Sequence, residues 1–298
     1  MLTSTSSDAT PRLFLNRPAA PRGAHRGLLG QRADGEGFCS AAGLQGRPWL
    51  RRLRRALRED LFVLHFQPIV SLRDGRVSHY EALLRLGDAP DGRLLAPGHF
   101  LPAAERYGLV RDIDRMVLDK VAGLLADPGA PARLDEREPR IAMNVSAVSV
   151  SDGAMLGHLA RRLARLEVDP ARLMIEVTET AAISDMATAK AFCTGVRALG
   201  CAIALDDFGA GFGSFRYLKH LPFDYLKIDG DFIRGLPRSH TDQLVVKALV
   251  GVAQGLGRQT IAEFVADEPT LGMLRGYGVD HAQGFHVGRP QPVLPLAL

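Results

Sequence analysis

Short apolar runs of strand length recur along the second half of the chain, and helical patterns separate most of them. The runs are Ile141-Ala-Met-Asn144, Leu173-Met-Ile-Glu176, Ile203-Ala-Leu-Asp206-Asp207, Tyr225-Leu-Lys227-Ile-Asp229 and Thr260-Ile-Ala-Glu263. Amphipathic helices are predicted near residues 154–166, 184–199, 242–256 and 269–277. Strands that alternate with helices build a parallel sheet, so the pattern predicts an α/β barrel.

Each of these apolar runs ends in a polar or acidic residue that a core strand would not ordinarily carry. The carboxyl ends of parallel barrel strands converge on one mouth. Four carboxylates and an amide gathered there would repel one another strongly unless a cation lay among them. The pattern therefore points to divalent metal.

The first part of the predicted domain has a different pattern. Residues 49–60 indicate a basic amphipathic helix, whose arginines either contact a membrane or an acidic partner or form a solvated face, the reading we favour. Residues 61–70 and 77–86 are predicted strands, and Asp74-Gly75 between them favours an antiparallel hairpin. Residues 97–107 and 111–126 are predicted helices, and residues 127–139 a Pro-rich loop.

Length and charge divide the chain into a tail and one domain. The 298 residues accommodate a barrel of about 250 residues, expected over residues 48–298, and an appendage. Residues 1–47 are rich in Ser, Pro, Gly and Arg, which predicts a disordered tail, with a transit peptide as the alternative. The remaining residues carry 31 basic and 30 acidic side chains. A nucleic-acid polymer is therefore not expected as the main partner.

Cysteine usage and hydropathy bear on location. Cys39, Cys193 and Cys201 show no metal-binding spacing, and so sparse a set fits a reducing compartment. The chain has neither an apolar run of about 18 residues nor an apolar signal core. We therefore expect a cytoplasmic protein without an integral membrane span.

Single candidate residues leave alternatives open. Glu81 lies within an apolar strand, where it either binds metal or forms a salt bridge with Arg85. Asn144 is either an oxygen ligand or a helix cap. Lys227 either snorkels or enters a charged cavity. Oxygen ligands without histidine suit Mg²⁺ or Mn²⁺, and two such ions roughly 3.5–4 Å apart can clamp a phosphoryl displacement.

Several motifs together make a specific match to a known family. The chain resembles the EAL-domain cyclic di-GMP phosphodiesterases over about residues 55–292. The motifs are Phe66-Gln-Pro-Ile69, Glu81-Ala-Leu-Leu-Arg85, Asn144-Val-Ser146, Glu176-Val-Thr-Glu179, Asp206-Asp-Phe-Gly209, Leu226-Lys-Ile-Asp229, Ala262-Glu263, Gln283-Gly-Phe285 and Gly288-Arg-Pro290.

The resemblance implies a modified TIM (β/α)₈ barrel with an antiparallel first strand, which hydrolyses cyclic di-GMP to linear pGpG. It implies two ions, Mg²⁺ or Mn²⁺. The ligands of the first ion would be Glu81, Asn144, Glu176 and Asp206. Asp206, Asp207 and Glu263 would hold or border the second. Lys227 would position or deprotonate the attacking water, or stabilise charge at the phosphorus.

Further roles follow from the same resemblance. Glu263 and Gln283 join Lys227 as catalytic residues, and Gln283 would orient a bound water. The substrate would be held by Gln67, Arg85 and Pro290. Glu179 would anchor the loop after Asp207, which the family uses in dimerisation and activation, so a homodimer is expected.

The chain departs from the family pattern in three places. The loop reads Ala210-Gly-Phe-Gly-Ser214 where Thr-Gly-Tyr-Ser-Ser is usual. Gly230 stands where arginine is frequent. Ala262-Glu-Phe-Val-Ala266 replaces Ala-Glu-Gly-Val-Glu, so Phe264 and Ala266 are unusual, and we expect a reduced or altered rate rather than no activity.

Two other functions compete with this prediction. One is a catalytically weak or inactive receptor that binds cyclic di-GMP and acts through an unknown protein partner. A pure receptor does not need the acidic cluster. The other is a metal-dependent barrel that acts on a different phosphodiester.

Overall fold

The computed structural model describes residues 47–87, 92–127, 139–179, 185–209 and 216–292. Eight strands form a closed barrel in sequence order. They are β1 (Phe62–Ser71), β2 (Val77–Leu86), β3 (Arg140–Val145), β4 (Leu173–Thr178), β5 (Ala202–Phe208), β6 (Tyr225–Ile228), β7 (Gln259–Ala262) and β8 (His281–Gln283). β1 is antiparallel to both of its neighbours, and the other neighbouring strands are parallel. The predicted modified TIM barrel is therefore confirmed.

The helices pack around this barrel; α1 precedes β1 in sequence, and the others lie between later strands. The described helices are α1 (Arg47–Arg58), α2 (Leu101–Arg106), α3 (Val110–Ala126), α4 (Ala147–Val150), α5 (Gly153–Leu166), α6 (Met186–Ala198), α7 (Arg216–His220), α8 (Gly230–Ile233), α9 (His240–Gly255) and α10 (Glu268–Tyr277). Short 3-10 turns occupy Pro97–His99 and Pro170–Arg172. None of the helices in the described ranges is long and apolar enough to cross a membrane.

The first helix attaches to the barrel by the apolar side that its sequence predicts. Leu53 and Ala56 of α1 are completely buried, and Trp49, Leu50 and Leu57 pack against the core. The arginines that alternate with them face outward or lie half-buried. The helix thus leads into the domain, as the favoured interpretation of its pattern requires.

The predicted hairpin is present, whereas the predicted helix over residues 97–107 is divided. β1 and β2 pair through the turn at Gly75, whose φ of 74° suits glycine. The helical stretch forms a 3-10 turn at Pro97–His99 and then α2. Pro102 has no N–H to donate to the preceding turn, so one continuous helix is disfavoured there.

The core has two parts, as expected for a barrel with side chains that alternate between its faces. The larger part fills the space between the sheet and the helices. The smaller part fills the lower interior with Ile69, Ala142, Met174, Ala204, Tyr225 and Ile261. The buried rings of His79 and His281 pack against Tyr225 at this end. The acidic residues of the barrel interior lie at the other end.

Some sequence predictions fall outside the described residues. The tail of residues 1–47 does so except at Arg47, which begins α1. The loop of residues 127–139 and the unusual segment at 210–214 also fall largely or wholly outside. Cys193 and Cys201 are buried free thiols, and Cys39 is not among the described residues.

Candidate active site

The carboxyl ends of the strands bring most of the predicted site residues to one cavity. It is lined by Gln67, Glu81, Asn144, Asp206, Asp207, Lys227, Glu263 and Gln283. Glu176 lies beneath them and has no exposed surface. Residues in all eight strands, or directly after them, therefore meet at or just beneath the mouth, as the strand-end pattern predicts.

Lys227 occupies the centre of this group. Its Nζ atom lies 2.9 Å from Glu176 Oε2, 2.8 Å from Asp206 Oδ1, 2.7 Å from Glu263 Oε1 and 3.9 Å from Glu81 Oε2. The side chain is 1% exposed. Of the two alternatives that the sequence leaves open for this lysine, the structure shows the charged cavity.

Hydrogen bonds connect the first two strands to the last. Glu81 Oε1 accepts a hydrogen bond from Asn144 Nδ2 at 2.8 Å, and Glu81 Oε2 accepts one from Gln283 Nε2 at 2.5 Å. Gln283 Nε2 also lies 3.1 Å from Gln67 Oε1, and Gln67 Nε2 donates to the Gly288 carbonyl. These contacts fix the orientation of Glu81 across the point where the barrel closes.

The structure also bears on the salt-bridge alternative for Glu81 and on the helix-cap alternative for Asn144. Arg85 donates to the Leu84 carbonyl at 2.9 Å, while Glu81 accepts hydrogen bonds from Asn144 and Gln283. The cap of α4 is Ser146, whose hydroxyl accepts from the Ser149 N–H. The side chain of Asn144 is thus directed to Glu81 at the mouth rather than to the helix.

A bulge in β5 explains how two successive aspartates reach the same cavity. Side chains on a regular strand alternate between its faces. The pairing of β5 with β6 shifts between Leu205 and Phe208, and Asp207 has a φ of 55°. A bulge of this kind redirects a side chain. The sequence predicts this turn at the strand terminus, and the structure places it within the last residues of β5.

Burial and mutual repulsion alter the ionisation of the carboxyl groups. Burial raises the pKa of Glu176 and of Glu263 well above the usual value, although Lys227 acts in the opposite direction. Burial and the neighbouring Asp206 raise the pKa of Asp207 to about 7. Burial alone would lower the pKa of Lys227, but the surrounding carboxylates raise it well above its usual value.

The donor set fits a hard divalent cation. Oxygens of Asp206, Asp207 and Glu263 all lie within 4.8 Å of one another. Glu176 Oε1 is buried without a hydrogen-bond partner among the described residues. Asp206 Oδ1 is close enough to Lys227 for an ion pair, yet it has no described partner in hydrogen-bonding geometry. Carboxylate oxygens with unused acceptor capacity are ligands that Mg²⁺ and Mn²⁺ prefer.

Glu179 directly follows β4 and contacts the start of the loop that it is predicted to anchor. It is 4% exposed, and its Oε2 accepts a hydrogen bond from the Gly209 N–H at 3.3 Å. Burial raises the pKa of this carboxyl group. The contact ties the end of β4 to the residue that follows β5, immediately before the undescribed segment.

Two predicted substrate residues stand apart from the others. Gln67 lines the cavity, but neither Arg85 nor Pro290 is found among its described lining residues. Arg85 is half-buried near the end of β2, and Pro290 precedes Gln291, which pairs with Phe66 of β1. The structure therefore brings the predicted metal ligands together more closely than the predicted substrate contacts.

Asp114 is a site residue that the sequence reasoning missed. It lies on the buried face of α3, lines the cavity, and accepts hydrogen bonds from the Ser146 N–H at 3.1 Å and the Ser146 hydroxyl at 2.6 Å. Burial raises the pKa of its carboxyl group. An acid within the apolar stripe of α3 was the available signal. Thr178, at the end of β4, also lines the cavity and was missed.

Comparison with known proteins agrees with this geometry. The EAL domain family matches residues 50–290. Over 246 residues, 82% of the chain, it is 36% identical to the cyclic di-GMP phosphodiesterase PdeB of Shewanella oneidensis, of which it covers 28%. Over 247 residues, 82% of the chain, it is 34% identical to the cyclic di-GMP phosphodiesterase PdeF of Escherichia coli, of which it covers 32%. The chain thus spans about a third or less of these relatives.

A solved structure matches the barrel along almost its whole length. It is the PaMucR phosphodiesterase in complex with c-di-GMP, with a TM-score of 0.76 and 35% identity. The alignment covers 82% of this chain and 98% of that one. The family match, the sequence identity and the shared fold together establish that the chain belongs to the EAL domain family.

Proposed function

We propose that this chain is a cyclic-guanylate-specific phosphodiesterase that hydrolyses cyclic di-GMP to linear pGpG with two divalent ions, Mg²⁺ or Mn²⁺. The observation that carries the proposal is the cluster around Lys227, where carboxylates from separate strands converge in one buried group. PdeB and PdeF, similar to this chain, are named cyclic di-GMP phosphodiesterases. The acidic cluster favours a catalyst over a receptor, because a receptor does not require it.

The residues of the cluster divide into two ligand sets. Glu81, Asn144, Glu176 and Asp206 would hold one ion, and Asp206, Asp207 and Glu263 would hold the second. When bound, such ions make a water molecule acidic enough to attack phosphorus and neutralise the charge that develops there. The bulge in β5 supports this division, because it allows the two aspartates to serve different ligand sets.

Lys227 would stabilise charge during the reaction. The carboxylates around it keep its amine protonated, and a protonated amine donates hydrogen bonds but cannot accept a proton. Among the roles that the family resemblance leaves open, we therefore assign it to the phosphoryl oxygens and not to deprotonation of water. The same charge reduces the repulsion among the carboxylates before the ions bind.

Gln283 and Gln67 would arrange the reacting groups. Gln283 donates to both Glu81 and Gln67, so it holds a predicted metal ligand and a predicted substrate contact in fixed relation. Its own Oε1 is buried without a described hydrogen-bond partner. We propose that this oxygen accepts a hydrogen bond from a water molecule, the role that the family resemblance implies.

The cavity combines two kinds of surface that suit a nucleotide. Beside the polar cluster it is lined by apolar side chains, among them Leu83, Pro97, Leu101, Val110 and Phe285. A cyclic dinucleotide carries phosphodiesters, which require cations, and flat bases, which pack on apolar and aromatic groups. We further propose that Arg85 and Pro290 contact the substrate at the outer rim.

Turnover of cyclic di-GMP tests the proposal directly. The purified chain is incubated with cyclic di-GMP and either Mg²⁺ or Mn²⁺, and pGpG is followed by chromatography. We expect product with at least one of the ions. We expect Glu81→Ala to abolish it and Glu59→Ala, which changes an exposed glutamate in a surface turn, to retain it.

The same assay separates the competing functions. Binding of cyclic di-GMP without metal and without product would support the receptor, and would contradict the phosphodiesterase. Competition by linear and other cyclic dinucleotides would identify a different phosphodiester substrate. A homodimer, a cytoplasmic location and a possible protein partner remain predictions of the sequence.

A further inference from the structure

Phe264, directly after Glu263, has a backbone conformation that is unusual for its size. Its φ is 53°, in the left-handed region that large side chains rarely adopt. Glycine, which is usual at this place in the family, adopts it without strain. Strained backbone of this kind persists only where its surroundings hold it in place.

The residue that makes room for Phe264 is Gly230, the first residue of α8. A Cβ atom at Gly230 would lie 2.1 Å from Cδ2 and 2.6 Å from Cγ of Phe264. The ring thus occupies the space that any side chain at position 230 would need. Both positions depart from the family pattern. Gly230 is smaller than the arginine that is frequent at its position, and Phe264 is larger than the glycine that is usual at its own. Gly230 and Phe264 form a matched pair.

A second residue of the same helical segment covers the ring. The guanidinium carbon of Arg234 lies 4.0 Å from the centroid of the Phe264 ring. Arg234 also pairs with Asp231, and Asp229 caps α8 through the Asp231 N–H. The ring is therefore packed against a short helix that begins directly after β6, the strand that carries Lys227.

The backbone on either side of Phe264 is attached to other strands. The Glu263 N–H donates to the Ile228 carbonyl of β6 at 3.3 Å, and the Val265 N–H donates to the Gln283 carbonyl of β8 at 2.9 Å. Between these two attachments, Phe264 sets the direction in which the chain turns. The carboxylate of Glu263 approaches Asp206 and Asp207 from this turn.

We propose that Phe264, packed on Gly230, is a positioning residue that holds the Glu263 carboxylate within the cluster of Asp206, Asp207 and Glu263. The phenylalanine ring at position 264 fits only because position 230 has no side chain. The two unusual residues are therefore compatible with each other and with the positioning role of Phe264. The inference rests on the proposed function for its turnover measurements, but its binding measurements need only the folded protein and Mn²⁺.

Four variants test the contact: Phe264→Gly, Phe264→Tyr, Gly230→Ala and the double variant F264G/G230A. Mn²⁺ affinity is measured by calorimetry in the absence of substrate, kcat and KM are measured with cyclic di-GMP, and thermal unfolding reports the fold. We expect Phe264→Gly and Gly230→Ala each to weaken Mn²⁺ binding and lower kcat by roughly 10-fold, with little change in KM. Phe264→Tyr keeps the ring and should stay near the unmodified protein.

The double variant is the decisive comparison. The three atoms nearest to a Cβ at position 230 all belong to the Phe264 ring. Once the ring is absent, Gly230→Ala should therefore add little to the effect of Phe264→Gly. Equal effects of Gly230→Ala in both backgrounds, or unchanged Mn²⁺ affinity in Phe264→Gly, would overturn the inference. If Gly230→Ala does not fold, the comparison of Phe264→Gly with Phe264→Tyr still decides it. A protein that binds Mn²⁺ as expected but releases no pGpG contradicts the proposed function and not this inference.

Discussion

The ammonium group of Lys227 lies 2.7 Å from a carboxylate oxygen of Glu263, and both side chains are buried. Glu176 and Asp206 approach the same ammonium group within 3 Å. Removal of a buried cation that pairs with several carboxylates is strongly destabilising, because it leaves their negative charge uncompensated. A divalent ion at the same place would take over part of that role.

Replacement of Lys227 by methionine should therefore destabilise the metal-free protein. We expect a loss of about 3–5 kcal/mol in the free energy of unfolding, because the carboxylates lose their buried partner. Added Mn²⁺ should then raise the melting temperature more in Lys227→Met than in the unmodified chain. Thermal unfolding with and without Mn²⁺ measures both effects. The exposed Lys190→Met is the control, and equal Mn²⁺ shifts in all three proteins would contradict the role of Lys227.

The raised pKa of Asp207 predicts how stability depends on pH. The usual pKa is 3.8, and the folded value is about 7. Between these values the unfolded chain loses its proton first, so the folded state becomes progressively less stable as pH rises. The asparagine side chain in Asp207→Asn cannot ionise, so this variant should not lose stability in this way as pH rises. Without metal, the variant should gain on the order of 1–3 kcal/mol over the unmodified chain between about pH 4 and pH 7.

Unfolding curves in a metal chelator over this pH range measure the difference between the two proteins. The comparison isolates Asp207, because the other titrating groups are common to both. If the two stability profiles run parallel from acid to neutral pH, Asp207 has an ordinary pKa in the folded protein.

Asp114 should contribute to stability through Ser146. It accepts two hydrogen bonds from that residue in a buried position. Asp114→Ala leaves the Ser146 N–H and hydroxyl without this acceptor, and we expect a loss of about 1–3 kcal/mol. Urea unfolding measures it. Asp112→Ala, an exposed position on the same helix, should change stability by less than about 0.5 kcal/mol; equal losses in both variants would rule out a specific role for the Asp114 contacts.

Gly284 should tolerate no side chain. A Cβ atom there would lie 2.2 Å from the Val265 carbonyl oxygen and 2.3 Å from the Val265 nitrogen. These are backbone atoms, so the chain around Glu263 would have to move away from β8. We expect Gly284→Ala to lower stability by about 1–3 kcal/mol and to reduce turnover together with it.

The matched control is Gly272→Ala in α10. Nothing lies within 4 Å of a Cβ atom at that position, and alanine is the better helix former by about 1 kcal/mol. This variant should be as stable as the unmodified chain or slightly more stable, by the same unfolding measurement. If Gly284→Ala is as stable as Gly272→Ala, the backbone around Val265 can move to accommodate the added methyl group.

Local sequence pattern was sufficient for the barrel and for the position of its mouth. The hairpin of β1 and β2 and the later strands agree with the predicted runs, because the alternation of apolar and polar residues is set within each segment. The acidic residues at the strand ends could be assigned to one edge because parallel strands place their carboxyl ends together. The motifs around Glu81 and Asp206 then pointed to the family.

The relationships between side chains from distant segments could not be obtained in this way. From the sequence, Glu81 could either bind metal or form a salt bridge with Arg85. Lys227 could either reach solvent or enter a charged cavity. Only closure of the barrel showed Gln283 of β8 bonded to Glu81 of β2, and Lys227 among three carboxylates. The adjacency of Gly230 and Phe264 likewise arises where α8 meets the end of β7. Periodicity reports which face a residue occupies, but which charges meet depends on the register and curvature of the whole sheet.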